Sequence, residues 1–124
     1  MTYQLTTLDS GLRVLTVRMP DRESVAVAIG VKAGGRYESK KMSGISHVLE
    51  HMMFKGTMTR NTRQIKEEIE GVGGVLNAFT GEELTCYFAK LLKRHYPRAL
   101  GVLSDMVLHS TVPADELVKE RTVI

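Results

Sequence analysis

The sequence predicts an α+β fold, a largely antiparallel sheet with helices packed on one face. Three observations carry this. Segments with strand-like alternation come as neighbours joined by short turns, helical segments follow them in pairs, and the resulting order is β-β-β-α-α-β-β-α-α. Hairpin-joined strands with helices following in pairs fit this fold better than a doubly wound parallel sheet, whose strands need a long crossover between each pair. A length of 124 residues, 43% hydrophobic and 25% charged, falls within one ordinary domain with a buried core.

Tyr3–Leu8 and Leu12–Met19 read as two strands joined through Asp9, Ser10 and Gly11, where the glycine can supply the positive φ of a short hairpin. Pro20 and Asp21 break the second strand. Over Ser24–Val31, bulky Val25, Val27, Ile29 and Val31 alternate with small Ala26, Ala28 and Gly30, which predicts a central strand whose small face admits a helix closely. A charged, glycine-bearing loop, Ala33–Glu38, leads through Ser39–Ser43 into a helix over Gly44–Thr57, ended by Gly56. Arg36 or Glu38 in that loop could support a site on the following helix, although solvated loop charge is the default reading. Asn61 with Gln64 three residues on predicts a capped surface helix with Ile65, Ile69 and Val72 inward.

Gly71, Gly73 and Gly74 stop that helix, and Val75–Phe79 and Glu83–Leu92 form a hairpin about the turn Thr80-Gly81-Glu82. Asn77 is the odd residue in its apolar strand. Its amide either satisfies a buried turn or faces something that needs pairing. Pro97 opens a helix with Leu100, Leu103, Met106 and Val107 inward, and Pro113 opens another with Asp115 and Glu116 in its first turn. Helical spacing continues over Leu117–Ile124 without a closing cap, an expectation that the chain runs on.

The net charge of +3 is spread over scattered Lys and Arg, without the dense patch and stacking aromatics of a nucleic-acid interface, so no nucleic acid is expected as a partner. The single cysteine, Cys86, excludes an internal disulfide framework and reads as a small core residue of a strand in a reducing compartment. No apolar run reaches membrane-spanning length and no leader opens the chain, so neither a membrane nor an intact secretion signal is expected.

The chemistry lies in the helix Gly44–Thr57. At about 100° per residue, Ile45, Val48, Leu49, Met52 and Met53 form an apolar stripe, and His47, Glu50 and His51 gather roughly opposite. Two histidines one turn apart can both reach one ion, and zinc prefers neutral imidazole with a position left open for water. Glu50 stands beside them and can act as a general base towards that water. A bare HxxEH also fits a solvated helix face with a Glu–His contact. His95 and His109 have no comparable constellation. His95 reads as a surface or capping residue, and His109 as a cation at a helix C-terminus.

His47-Val48-Leu49-Glu50-His51 is the inverted zinc motif. With AGGRYE before it, GISHVLEHMMFKGT through it and GGVLNAFT after it, the chain resembles the N-terminal part of the pitrilysin (M16) family of zinc peptidases, over essentially its whole length. The opening TLDSGLRV and the short spacings look closest to the bacterial and mitochondrial processing-peptidase branch. The resemblance implies an M16-type metallohydrolase domain, LuxS- and processing-peptidase-like, of which residues 1–124 would be the truncated N-terminal part. It implies Zn2+ as cofactor, His47 and His51 as metal ligands, Glu50 as the catalytic base and Asn77 and Ala78 as an edge-strand segment pairing with the substrate backbone. Glu120 would support the site from behind the ligands.

In the family the third ligand is a glutamate roughly 75 residues after the second histidine, which would fall just beyond Ile124. The expected activity is therefore hydrolysis of peptides or unfolded segments by the intact protein, with residues 1–124 alone incomplete and inactive or nearly so. Expected partners are a peptide substrate and the missing C-terminal part or a companion M16 subunit, with self-association of the fragment through uncovered apolar surface. The expected setting is bacterial cytoplasm or mitochondrial matrix. A non-catalytic assembly or substrate-binding subunit is the alternative, although such relatives carry degraded metal motifs and this one is intact. S-ribosylhomocysteine lyase shares HxxEH but needs a cysteine ligand, and Cys86 follows His51 too soon in a predicted strand.

Overall fold

The computed structural model describes residues 2–123. Strands β1 (Tyr3–Thr7) and β2 (Arg13–Val17) form one antiparallel hairpin, with Tyr3 opposite Val17 and Thr7 opposite Arg13. Both strands are shorter than their apolar alternation suggested, because Leu8 and Leu12 close the turn by a backbone hydrogen bond of 2.8 Å, and Gly11 takes φ of +92° there. Every described residue of this hairpin is exposed, including Tyr3 (70%), Leu5 (53%) and Leu15 (60%).

The second sheet has the order β3-β5-β4, antiparallel throughout, from β3 (Ser24–Val31), β4 (Val75–Thr80) and β5 (Thr85–Leu92). The central strand is β5, so β3 is an edge strand among the described residues, which corrects the expectation from its sequence. Val25, Val27 and Ile29 turn to the core, whereas the small face of β3, expected to admit a helix, lies open, and no helix among the described residues covers it. On β5, Thr85, Tyr87, Ala89 and Leu91 are buried, and this puts Cys86 on the opposite, half-exposed face rather than in the core.

Helices α1 (Ile45–Met52), α2 (Thr62–Glu70), α3 (Tyr96–His109) and α4 (Ala114–Val123) complete the fold. The Asn61 side chain accepts from the Gln64 amide and the Gln64 side chain from the Asn61 amide, both at 2.8 Å, so α2 starts on the capping box its sequence announces. Ile65 and Ile69 of α2 pack with Ala99, Val102, Leu103 and Met106 of α3 against the inner face of the sheet. The inward line of α3 therefore differs from the expected one: Leu100 is 42% exposed, and small Ala99 takes the place against the sheet. The acidic first turn of α4 follows Pro113 as expected, while Ile124 lies outside the described residues.

Among the described residues, no helix is long and apolar enough to cross a membrane.

Candidate metal centre

The helix that carries the motif, α1, is anchored at both ends. At its start the Glu38 carboxylate accepts the amides of Gly44 and Ser46, each at 2.8 Å, so a loop carboxylate satisfies first-turn donors that no residue of the helix can reach. Hydrogen bonds from Ser46 and from the Gly44 amide hold the Glu38 carboxyl below the ordinary carboxylate range. Glu38 is therefore a cap, not the solvated charge its sequence position suggested. Arg36 does behave as a surface charge, paired with exposed Glu83. The loop itself lies against the β4–β5 turn: the Arg36 amide donates to the Glu82 carbonyl at 2.9 Å, and a Cβ on Gly34 would stand 2.4 Å from the Gly81 carbonyl oxygen.

At its other end α1 stops at Met52, earlier than Gly56. Turn hydrogen bonds from Phe54 to His51 and from Lys55 to Met52 carry the chain on. Met52 is fully buried and Ser46 nearly so, whereas Ile45 (36% exposed) and Leu49 (38%) are not covered, so only part of the expected apolar stripe is buried among the described residues.

His47 and His51 stand on the same side of α1 with ring centroids 4.8 Å apart, edge to face at 84°. The His51 Nδ1 lies 2.8 Å from Oε2 of Glu120, which α4 brings alongside α1. That contact holds the ring and leaves Nε2 free to ligate an ion. Glu120 is 7% exposed, and its other oxygen is 3.1 Å from Lys55 Nζ. The hydrogen bond with His51, together with Lys55 and against the effect of burial, keeps the Glu120 carboxyl below its usual range.

Glu50 projects between two open clefts. One, of about 360 Å3, is shared with His51, Asn77 and Glu120, and the other, of about 420 Å3, with His47, Glu38 and Thr80. The Thr80 hydroxyl donates to Glu50 Oε2. Burial, reinforced by the charge of Glu50, pushes the Tyr87 phenol up to about 12.

Asn77 and Ala78 sit on β4, an edge strand of the described sheet. Leu76 and Ala78 face the core, which leaves the Asn77 side chain exposed and removes the buried-turn reading. Its Oδ1 accepts the Ala78 amide at 2.8 Å. Among the described residues, no group of three or more His, Cys, Asp or Glu side chains converges to hold an ion. Two imidazoles with a carboxylate behind one of them nonetheless fit zinc in donor type, with room left in the shell for water and one further ligand. The structure places His47, Glu50 and His51 along α1 and Glu120 beside them on α4. Glu38, which could support the site from its loop, does so as the cap of α1, whereas Thr80, expected in a turn, is the residue to which sequence reasoning assigned no role.

The profile of insulinase, peptidase family M16, matches residues 13–124. The chain belongs to peptidase family M16. It is 46% identical over 118 residues to the uncharacterized zinc protease YmxG of Bacillus subtilis, covering 95% of this chain and 29% of that protein. It is 43% identical to a protein of Arabidopsis thaliana named probable mitochondrial-processing peptidase subunit beta, covering 98% of this chain and 23% of the relative. The crystal structure of a protease from Helicobacter pylori superposes with a TM-score of 0.92 at 30% identity, over 98% of this chain and 30% of the other. The chain thus spans less than a third of each of these M16 relatives.

Proposed function

We propose that residues 1–124 are the N-terminal part of one M16 peptidase domain, and that the full-length protein is a zinc metalloendopeptidase acting on peptides or unfolded segments. The observation that carries this is the paired imidazoles of His47 and His51, with Glu120 behind one and Glu50 lining a cleft with each. His47 and His51 would hold the ion, and a third ligand would come from the rest of the protein. Relatives named zinc proteases support zinc as that ion. What zinc supplies when bound is Lewis acidity towards a water and a peptide carbonyl.

The chain's own residues do the rest. Glu50 takes a proton from the attacking water and returns it to the leaving amine, from a position between the cleft it shares with His51 and the one it shares with His47. The edge of β4 at Asn77 and Ala78 pairs with the substrate main chain, which gives affinity with little dependence on sequence. Glu120 fixes the His51 ring through Nδ1, so that Nε2 would be the nitrogen available to hold the ion. The relative named as a beta subunit supports a companion subunit as partner. The setting that suits this reading is bacterial cytoplasm or mitochondrial matrix.

The test is metal content and peptide cleavage in the full-length protein. One zinc per chain, cleavage lost to a chelator and restored by zinc, and loss of metal in His47→Ala and His51→Ala are expected. Full cleavage after complete metal removal would sink the proposal.

A further inference from the structure

We infer that Thr80 is a positioning residue for Glu50: its hydroxyl holds one carboxylate oxygen at the sheet side and leaves the other for the attacking water. The inference rests on the reading of Glu50 as general base.

Alternation along β4 turns Leu76, Ala78 and Thr80 to the same face of the sheet. The first two meet the apolar core, whereas Thr80, at the end of the strand, meets the flank of α1, where its hydroxyl donates to Glu50 Oε2. A valine would fill the same volume without that donor. The position of the hydroxyl is set by the sheet, not by the helix. Thr80 is the register partner of Thr85, which is 3% exposed and whose own hydroxyl donates to the Ala33 carbonyl at 3.0 Å. The turn behind it closes through Gly81 N to Leu84 O at 2.8 Å.

A glutamate side chain has three rotatable bonds, and this one stands next to two imidazoles. Left unheld, its carboxylate could turn onto the ion and become a ligand, which would cost it the role of base. A hydrogen bond from a rigid strand removes that freedom and keeps Oε1 pointed for proton transfer. Because β4 is also the strand proposed to pair with the peptide, the same contact ties the position of the base to the strand that holds the substrate.

The experiment compares Thr80→Val, Thr80→Ser and Glu50→Gln in the full-length protein, reading kcat, KM, zinc per chain and zinc affinity by chelator competition. Thr80→Val is expected to lower kcat about 10- to 100-fold, the range for removing an orienting partner. KM should stay within about twofold and zinc affinity should be unchanged or tighter, with Thr80→Ser restoring most of kcat. Thr80→Ala removes the same hydroxyl and serves where the Thr80→Val protein does not fold. Wild-type kcat without the hydroxyl, a loss of kcat that only tracks lost zinc, or a serine variant no better than the valine one would each overturn the inference. If Glu50→Gln is inactive while Thr80→Val is fully active, the inference alone fails. If Glu50→Gln is fully active, the base reading falls and this inference with it.

Discussion

Replacing Asp105 with alanine removes the carboxylate on which the loop behind α1 closes. Asp105 is 8% exposed in the middle of α3, and its Oδ2 accepts from Thr57 Oγ1 at 2.5 Å and from Arg60 Nη1 at 2.8 Å. His109 Nδ1 lies 3.1 Å from its other oxygen. Breaking a buried ion pair by deleting one partner costs about 3–5 kcal/mol. Arg60 keeps Glu68 at 2.8 Å and its side chain is 24% exposed, so the cost here should fall to about 2–3 kcal/mol. That corresponds to about a 30- to 150-fold rise in the opening constant of the loop.

Hydrogen exchange reads this directly at two amides that cross the junction, Met58 to the His109 carbonyl and Thr111 to the Gly56 carbonyl. Unchanged exchange there in Asp105→Ala would refute the hub. The pH dependence has a definite sign. Burial pushes the Asp105 carboxyl up, but hydrogen bonds from Thr57, Arg60 and His109 outweigh it, and the folded value lies below the ordinary 3.8. The unfolded chain therefore binds the proton more readily. The stabilisation is complete above that ordinary value and is lost as pH falls through the folded one, so protection should hold at pH 6 and fall only as the pH drops below 3.8 towards the folded value.

Three further outcomes are expected. Glu120→Gln should weaken zinc binding by the full-length protein about 10- to 100-fold, measured by chelator competition, and an unaltered affinity would take Glu120 out of the site. Gly34→Ala should lower stability by about 1–3 kcal/mol, because its Cβ would meet the backbone of Gly81 and not a movable side chain. An unchanged melting temperature in calorimetry would show that the loop does not pack on the β4–β5 turn. Residues 1–124 alone should self-associate in sedimentation, since the apolar face of the β1–β2 hairpin (Tyr3, Leu5, Leu15 and Val17) and Phe79 of β4 are exposed, and a clean monomer at high concentration would count against this.

Local chemistry made much of this fold legible. The Asn61–Gln64 box, Pro97 in the first turn of α3 and the β4–β5 hairpin rest on neighbours in sequence, and each is where its residues predict. The order of strands was not legible, because the alternation of β3 reports a half-buried face and not which neighbours it has. The phase of α3 slipped for a related reason: both Ala99 and Leu100 suit a helix, and only the tight contact with the sheet favours the smaller one. In the site, His47, Glu50 and His51 are one turn of one helix and could be read together. Glu38 reaches its amides across six and eight residues, Thr80 reaches Glu50 across thirty, and Asp105 gathers Thr57 and Arg60 across more than forty. Such contacts are made by the fold, and no periodicity announces them.

If Glu50 is the base of a zinc site built on His47 and His51, Glu50→Gln in the full-length protein should keep the metal and lose the chemistry. Single-turnover peptide cleavage, with zinc measured on the same sample, should give one zinc per chain, as in the wild type, and a cleavage rate lower by about 10²- to 10⁴-fold, the usual contribution of a positioned base. Cleavage at the wild-type rate with zinc in place would contradict that role for Glu50.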